Sequence, residues 1–169
     1  MRTMWRFLRV AAASSAVAVS AVPPVAAQIS GADAEKAAAA FLQAFVSGDV
    51  TRMKEHFAEK VRIDGDLRFL SPAADQTVTR DQLAEGYGKF FERIGREKWT
   101  GLIKNAKPTL TRAAKNGEVV TFVKAGDFVY GLHFREALRG ARADLHEAIV
   151  FVFRDIGGKP MIVGHFADY

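Results

Sequence analysis

Alternate residues in the last third of this chain separate into two chemically different sets. Phe128 to Phe134, Leu145 to Phe153 and Ile162 to Asp168 read as three consecutive antiparallel strands. Successive side chains point to opposite faces of a strand. One face therefore collects Phe128, Tyr130, Leu132, Phe134, Leu145, Ile149, Phe151, Phe153, Ile162 and Phe166, and its only polar groups are Tyr130, Glu147 and Asp168. A sheet face this apolar has to be covered, and the segments with helical periodicity lie upstream. The pattern predicts a cone-shaped cavity with a few acids inside it.

The chain opens differently. Arg2, Arg6 and Arg9 precede an Ala/Val-rich run from Val10 to Val22, and Pro23-Pro24 leads to Val25-Ala26-Ala27, small residues of the kind a signal peptidase accepts. Residues 1–27 are expected to be a cleaved leader, because the apolar run falls short of the ~20 residues that span a bilayer. The expected destination is the periplasm or the exterior, with no stable membrane insertion after cleavage. Residues 28–169 then form a single domain. The leader holds three arginines and no acid, so the formal charge of +5 falls to +2 for the rest. A balance this slight gives no support to nucleic-acid binding. The chain has no cysteine, so disulfides and thiolate chemistry are excluded.

Ala38, Phe41, Leu42 and Phe45 fall at i, i+3, i+4 and i+7 and predict a first helix over 32–47. Gly48 suits its C-terminal cap, and Asp49 the N-cap of a second helix running through Phe57. A short strand is expected from Val61 to Asp64, with Arg68 to Leu70 as its partner, followed by loop to Val78. Thr79 with Gln82 forms a capping-box signature, and Leu83, Tyr87, Phe90, Phe91 and Ile94 carry a third helix to about Gly95. Gly86 and Gly88 within it suggest close approach to the sheet rather than a phosphate loop. Beyond Trp99 the pattern reads as β, with Asn116-Gly117 as a type I′ hairpin turn and Pro108 marking an edge or bulge.

Turn centres set the strand register. A connection centred on Arg139-Gly140 puts Tyr130 opposite Ile149, Leu132 opposite Glu147, and His133 opposite His146. A turn centred on Gly157-Gly158 puts Ile149 opposite Phe166, Phe151 opposite Gly164, and Glu147 opposite Asp168. Opposed carboxylates ~5 Å apart at Cβ beside aromatic walls do not both ionise cheaply, so one is expected to hold a proton near neutral pH. Such a pair supplies a general acid or base, and Tyr130, diagonal to Glu147, a donor to a developing oxyanion. On the other face, two histidines without a third ligand make no metal site, and no metal or cofactor is expected. His56 has no partner at any useful spacing.

The run Phe41-Leu42-Gln43-Ala44-Phe45-Val46-Ser47-Gly48-Asp49 leading to His56-Phe57-Ala58, together with Phe151-Val152-Phe153 through Gly157-Gly158-Lys159 to Phe166, resembles the nuclear transport factor 2-like superfamily. SnoaL-like cyclases, ketosteroid isomerases and scytalone dehydratase belong to it. The resemblance implies an α+β fold in which a curved antiparallel sheet forms a cone with about three helices from the N-terminal half in its concave face, and frequent dimerisation through the outer sheet face. Matching the ketosteroid isomerase pattern puts Phe41 in place of the tyrosine, Gly65 between Asp64 and Asp66 in place of the base, and Ile149 in place of the late acid. Two of those three roles are missing, and Asp64 serves only if a bulge moves it by one.

Three functions fit this reading. The first is an exported domain that binds a small apolar or aromatic molecule among Phe41, Phe45, Phe57, Tyr87, Phe91, Phe128, Ile149 and Phe151. The second is a cofactor-free isomerase, cyclase or dehydratase using Glu147, Asp168 and Asp64 as acid and base and Tyr130 as oxyanion donor. The third is a non-catalytic module that associates, as a homodimer or with a partner, through Val129, Val150, Val152 and Val163 on the outer face.

Overall fold

The computed structural model describes residues 28–63, 77–133 and 148–168. The leader, Asp64, the strand proposed over 68–70, and Phe134, Leu145, His146 and Glu147 lie outside them. Helix α1 (Gly31–Ser47) starts at a capping box: Ser30 Oγ accepts the Asp33 N–H at 3.1 Å, and the Asp33 carboxylate accepts the Ser30 N–H at 3.2 Å. It ends at Gly48, whose φ of 64° is costly for any residue with a Cβ. Ala34, Ala38, Phe41, Ala44 and Phe45 form its buried stripe. Helix α2 (Val50–His56) is capped by Asp49, which accepts the Arg52 N–H at 3.1 Å. The second helix was expected to include Phe57, but that residue opens strand β1 (Phe57–Ile63). Phe57 is fully buried and pairs with Ile162, so tertiary pairing overrides the local helical spacing.

Strand β2 (Thr77–Thr79) pairs with β1 and leads into α3 (Arg80–Ile94), whose Thr79/Gln82 capping box forms as expected. Gly86 is buried, but a Cβ on Gly88 would meet nothing within 4 Å, so close packing does not explain that glycine. Where the sequence reads as β beyond Trp99, the chain is still helical in α4 (Arg96–Ile103). The reason lies at the C-terminal end of α1, whose carbonyls can take donors from outside the helix. Trp99 Nε1–H donates to the Phe45 carbonyl at 2.8 Å, and Thr100 Oγ1 to the Val46 carbonyl at 3.2 Å.

Strands β3 (Lys107–Arg112), β4 (Phe128–His133), β5 (Ala148–Ile156) and β6 (Lys159–Asp168) complete a sheet ordered β2-β1-β6-β5-β4-β3. Pro108 sits on the edge strand β3, where its missing N–H costs no ladder bond. The sheet is mixed rather than wholly antiparallel, because β1 runs parallel to β6. Asn116-Gly117 does not make a two-residue hairpin. Residues 113–127 form one longer connection between β3 and β4, with Gly117 at φ 67° donating its N–H to Val123 at 2.8 Å.

The registers depart from the turn-based expectation in two ways. Between β4 and β5, Tyr130 faces Phe151, Leu132 faces Ile149 and His133 faces Ala148, a slip of two residues that leaves face parity intact. Between β5 and β6, the expected register holds from Ile156↔Lys159 to Phe153↔Ile162 and then shifts at a bulge beside Val163. Beyond it, Phe151 faces His165, Val150 faces Phe166 and Ala148 faces Asp168, so the expected pairing of Asp168 with Glu147 does not occur. Phe166 consequently packs on the outer face with Val150 and Val152, and His165 turns inward.

Two apolar layers flank the sheet. The concave layer joins α1, α3 and α4 to Phe57, Phe128, Tyr130, Leu132, Phe151, Phe153 and Ile162. The convex layer packs Val129, Val150, Val152 and Phe166 beneath Val120, Phe122 and Val123 of the 113–127 connection. Phe122 lies so close over Gly164 that a Cβ there would sit 2.1 Å from its ring. The architecture is α+β: a six-stranded mixed sheet with four helices among the described residues.

Candidate functional site

The concave face has a sealed centre and a looser flank. Phe41, Phe45, Phe57 and Phe151 are each 0% exposed, so no water-sized space touches them. Their rings engage one another directly, with centroids 4.6 Å apart for Phe41–Phe151 and 5.2 Å for Phe45–Phe151. Tyr87 and Phe91 extend the cluster from α3, and Phe128 is buried on β4. Of the eight residues expected to line a ligand, only Ile149 keeps appreciable exposure. Along the concave side of β3, β4 and β5, the half-buried Leu110 and Ile149 flank Tyr130: Leu110 is paired with Tyr130, and Ile149 with Leu132 two residues along.

Tyr130 is 4% exposed, and its hydroxyl makes no hydrogen bond among the described residues. Its ring meets Phe153 edge-on at 6.3 Å. Burial pushes its pKa up to about 12, so the phenol stays protonated and able to donate at neutral pH. A buried hydroxyl without a partner costs ~1–3 kcal/mol, which makes this position an exception to ordinary core construction.

The second polar feature was not anticipated from sequence. With Ile162 and Phe166 inward, regular alternation would put His165 on the outer face; the bulge turns it into the core at 0% exposure. Its Nδ1–H donates to the Val150 carbonyl at 2.9 Å, which leaves Nε2 to accept the Tyr87 hydroxyl. The ring stacks on Phe151 at 4.3 Å and 8°. Desolvation lowers the His165 pKa to about 4, against the opposing pull of the Val150 carbonyl, and raises that of Tyr87 well above its usual value. The pair is neutral and fully hydrogen-bonded at neutral pH. Gly164, an isolated glycine inside a strand, was the available signal for the bulge.

The acids expected to perform chemistry are not brought together among the described residues. Asp64 and Glu147 lie outside them, and Asp168 is paired with Ala148 in the register of β5 and β6. The buried carboxylate that is described, Asp127, belongs to the convex side, where both its oxygens receive Arg154 at 2.8 and 2.7 Å. Phe41 is a sealed core ring and Ile149 a half-buried flank residue. Among the described residues no group of three His, Asp or Glu side chains is placed to hold a metal ion, and no helix is long and apolar enough to cross a membrane. The outer-face residues Val129, Val150 and Val152 are buried beneath their own chain, and Val163 is half-buried there.

No family model matches the chain, and no curated protein matches it. Among solved structures, a protein of unknown function with a cystatin-like fold from Nostoc punctiforme is similar at 14% identity and a TM-score of 0.45, over 83% of this chain and 93% of that one. A putative calcium/calmodulin-dependent protein kinase type II association domain from Thiobacillus denitrificans is similar at 18% identity and 0.44, over 79% and 92%. A ketosteroid isomerase-like protein from Erwinia carotovora atroseptica gives 14% and 0.42, over 81% and 93%.

Proposed function

We propose that this chain is an exported binding domain that takes a small apolar or aromatic molecule on the Leu110–Tyr130–Ile149 flank of its cone. The observation that supports this reading is the buried Tyr130 hydroxyl, which has no partner among the described residues and sits among apolar neighbours. A ligand carbonyl would accept from it, while the ligand's apolar body would cover the half-buried side chains on either side. The solid ring cluster behind them supplies a rigid wall.

A matched ligand pair tests the reading. 1-Acetonaphthone carries a carbonyl and 1-ethylnaphthalene does not, at nearly equal apolar area. The wild-type protein is expected to prefer the ketone by about 5- to 10-fold, the size of one net hydrogen bond, and Tyr130→Phe to erase that preference. Equal affinities in the wild type, or binding of neither compound, would reject the proposal.

A further inference from the structure

We infer that Gln28 becomes a pyroglutamyl residue once the leader is removed. This rests on the export reading, in which cleavage after Ala27 leaves Gln28 with the free α-amine.

The described chain holds Gln28 in place from two sides. Arg112 Nη2 donates to its side-chain Oε1 at 2.7 Å, and the next N–H, that of Ile29, donates to Asp155 Oδ2 at 3.2 Å. Ile29 itself is buried, which anchors the backbone beside Gln28. Arg112 is fixed in turn, because its guanidinium lies 5.6 Å over the ring of Phe128, its pairing partner across β3 and β4. Clefts of about 190 and 450 Å³ border Gln28, so the residue has room to rearrange.

The chemistry balances within the residue. The α-amine nitrogen attacks side-chain Cδ, a C–N bond forms, the bond from Cδ to Nε2 breaks, and ammonia leaves carrying the amine proton. The guanidinium touches the carbonyl oxygen on which negative charge develops, where a charged donor is most effective. That oxygen survives in the lactam, so the Arg112 contact is kept in the product.

The test is the intact mass and Edman behaviour of the full chain after export from a bacterial host. The expected product is residues 28–169 less one ammonia, blocked to Edman degradation and opened by pyroglutamyl aminopeptidase. A product that starts at Gln28 with a free amine overturns the lactam and leaves the export reading intact; one that starts elsewhere overturns both. A second arm follows the loss of free amine after Gln28 is exposed by proteolysis of a fusion. Arg112→Met is expected to slow it about tenfold, as loss of a charge-assisted hydrogen bond would. Equal rates overturn the role of Arg112.

Discussion

Acid should destabilise this fold through His165 in a way that can be isolated. The folded ring resists protonation down to a pKa of about 4, whereas the unfolded chain takes up the proton at the ordinary 6.5. The neutral ring therefore costs nothing above pH ~6.5; the penalty grows as the pH falls towards ~4, where protons bind the unfolded state preferentially, and then levels off. At ~1.36 kcal/mol per unit, its limit is about 3 kcal/mol, of which about 2 kcal/mol has accrued by pH 5. The comparison is with Tyr87→Phe/His165→Phe, which removes both partners of the buried hydrogen bond and so leaves no orphaned hydroxyl. Urea unfolding of both proteins at pH 7 and pH 5 gives the result, and other titrating groups, such as His56, cancel in the difference. The wild type should lose ~2 kcal/mol more than the double variant over that interval. Parallel losses would refute the placement of a neutral His165 in the core.

Other perturbations have equally definite outcomes. Gly88→Ala should raise unfolding stability by about 0.5–1 kcal/mol, because the helix interior gains propensity and the new Cβ meets nothing, measured by the urea midpoint. Gly164→Ala places a Cβ against the Phe122 ring and should speed amide hydrogen exchange across 113–127, with Phe122→Ala restoring protection at the bulge. Asp127→Ala leaves the half-buried Arg154 without its bidentate partner and should cost about 2–3 kcal/mol in thermal or urea unfolding. Trp99→Phe removes one of two donors to the Phe45 carbonyl, which still accepts the Gly48 N–H, and losing that bond should cost about 1 kcal/mol by the same assay.

What could be read from sequence was what local rules control. The Thr79/Gln82 capping box, the Gly48 terminus, the stripe on α1 and the inward parity of Ile149, Phe151 and Phe153 follow from short-range spacing, and all are present. The register around Gly157-Gly158 also held as far as the chain stayed regular. It failed at Val163 because one extra residue reverses every later side chain, which sent Phe166 out and His165 in. Helix α4 was hidden for a different reason: Trp99 is drawn into helix by carbonyls of α1 far away in sequence. The outer valines looked like an interface because alternation shows that a face is apolar and not what covers it. Here the 113–127 connection covers it. Tyr130 was recognised as an inward polar group, but its lack of a partner among the described residues is a property only coordinates reveal.

The most direct measurement is a crystal structure of the protein soaked with 1-acetonaphthone. The account predicts the ketone oxygen within hydrogen-bond distance of Tyr130 Oη, with the naphthalene against Leu110 and Ile149 and the Phe41–Phe45–Phe151 cluster undisturbed. A ligand bound elsewhere, or a Tyr130 hydroxyl bonded to the protein itself over a closed flank, would contradict it.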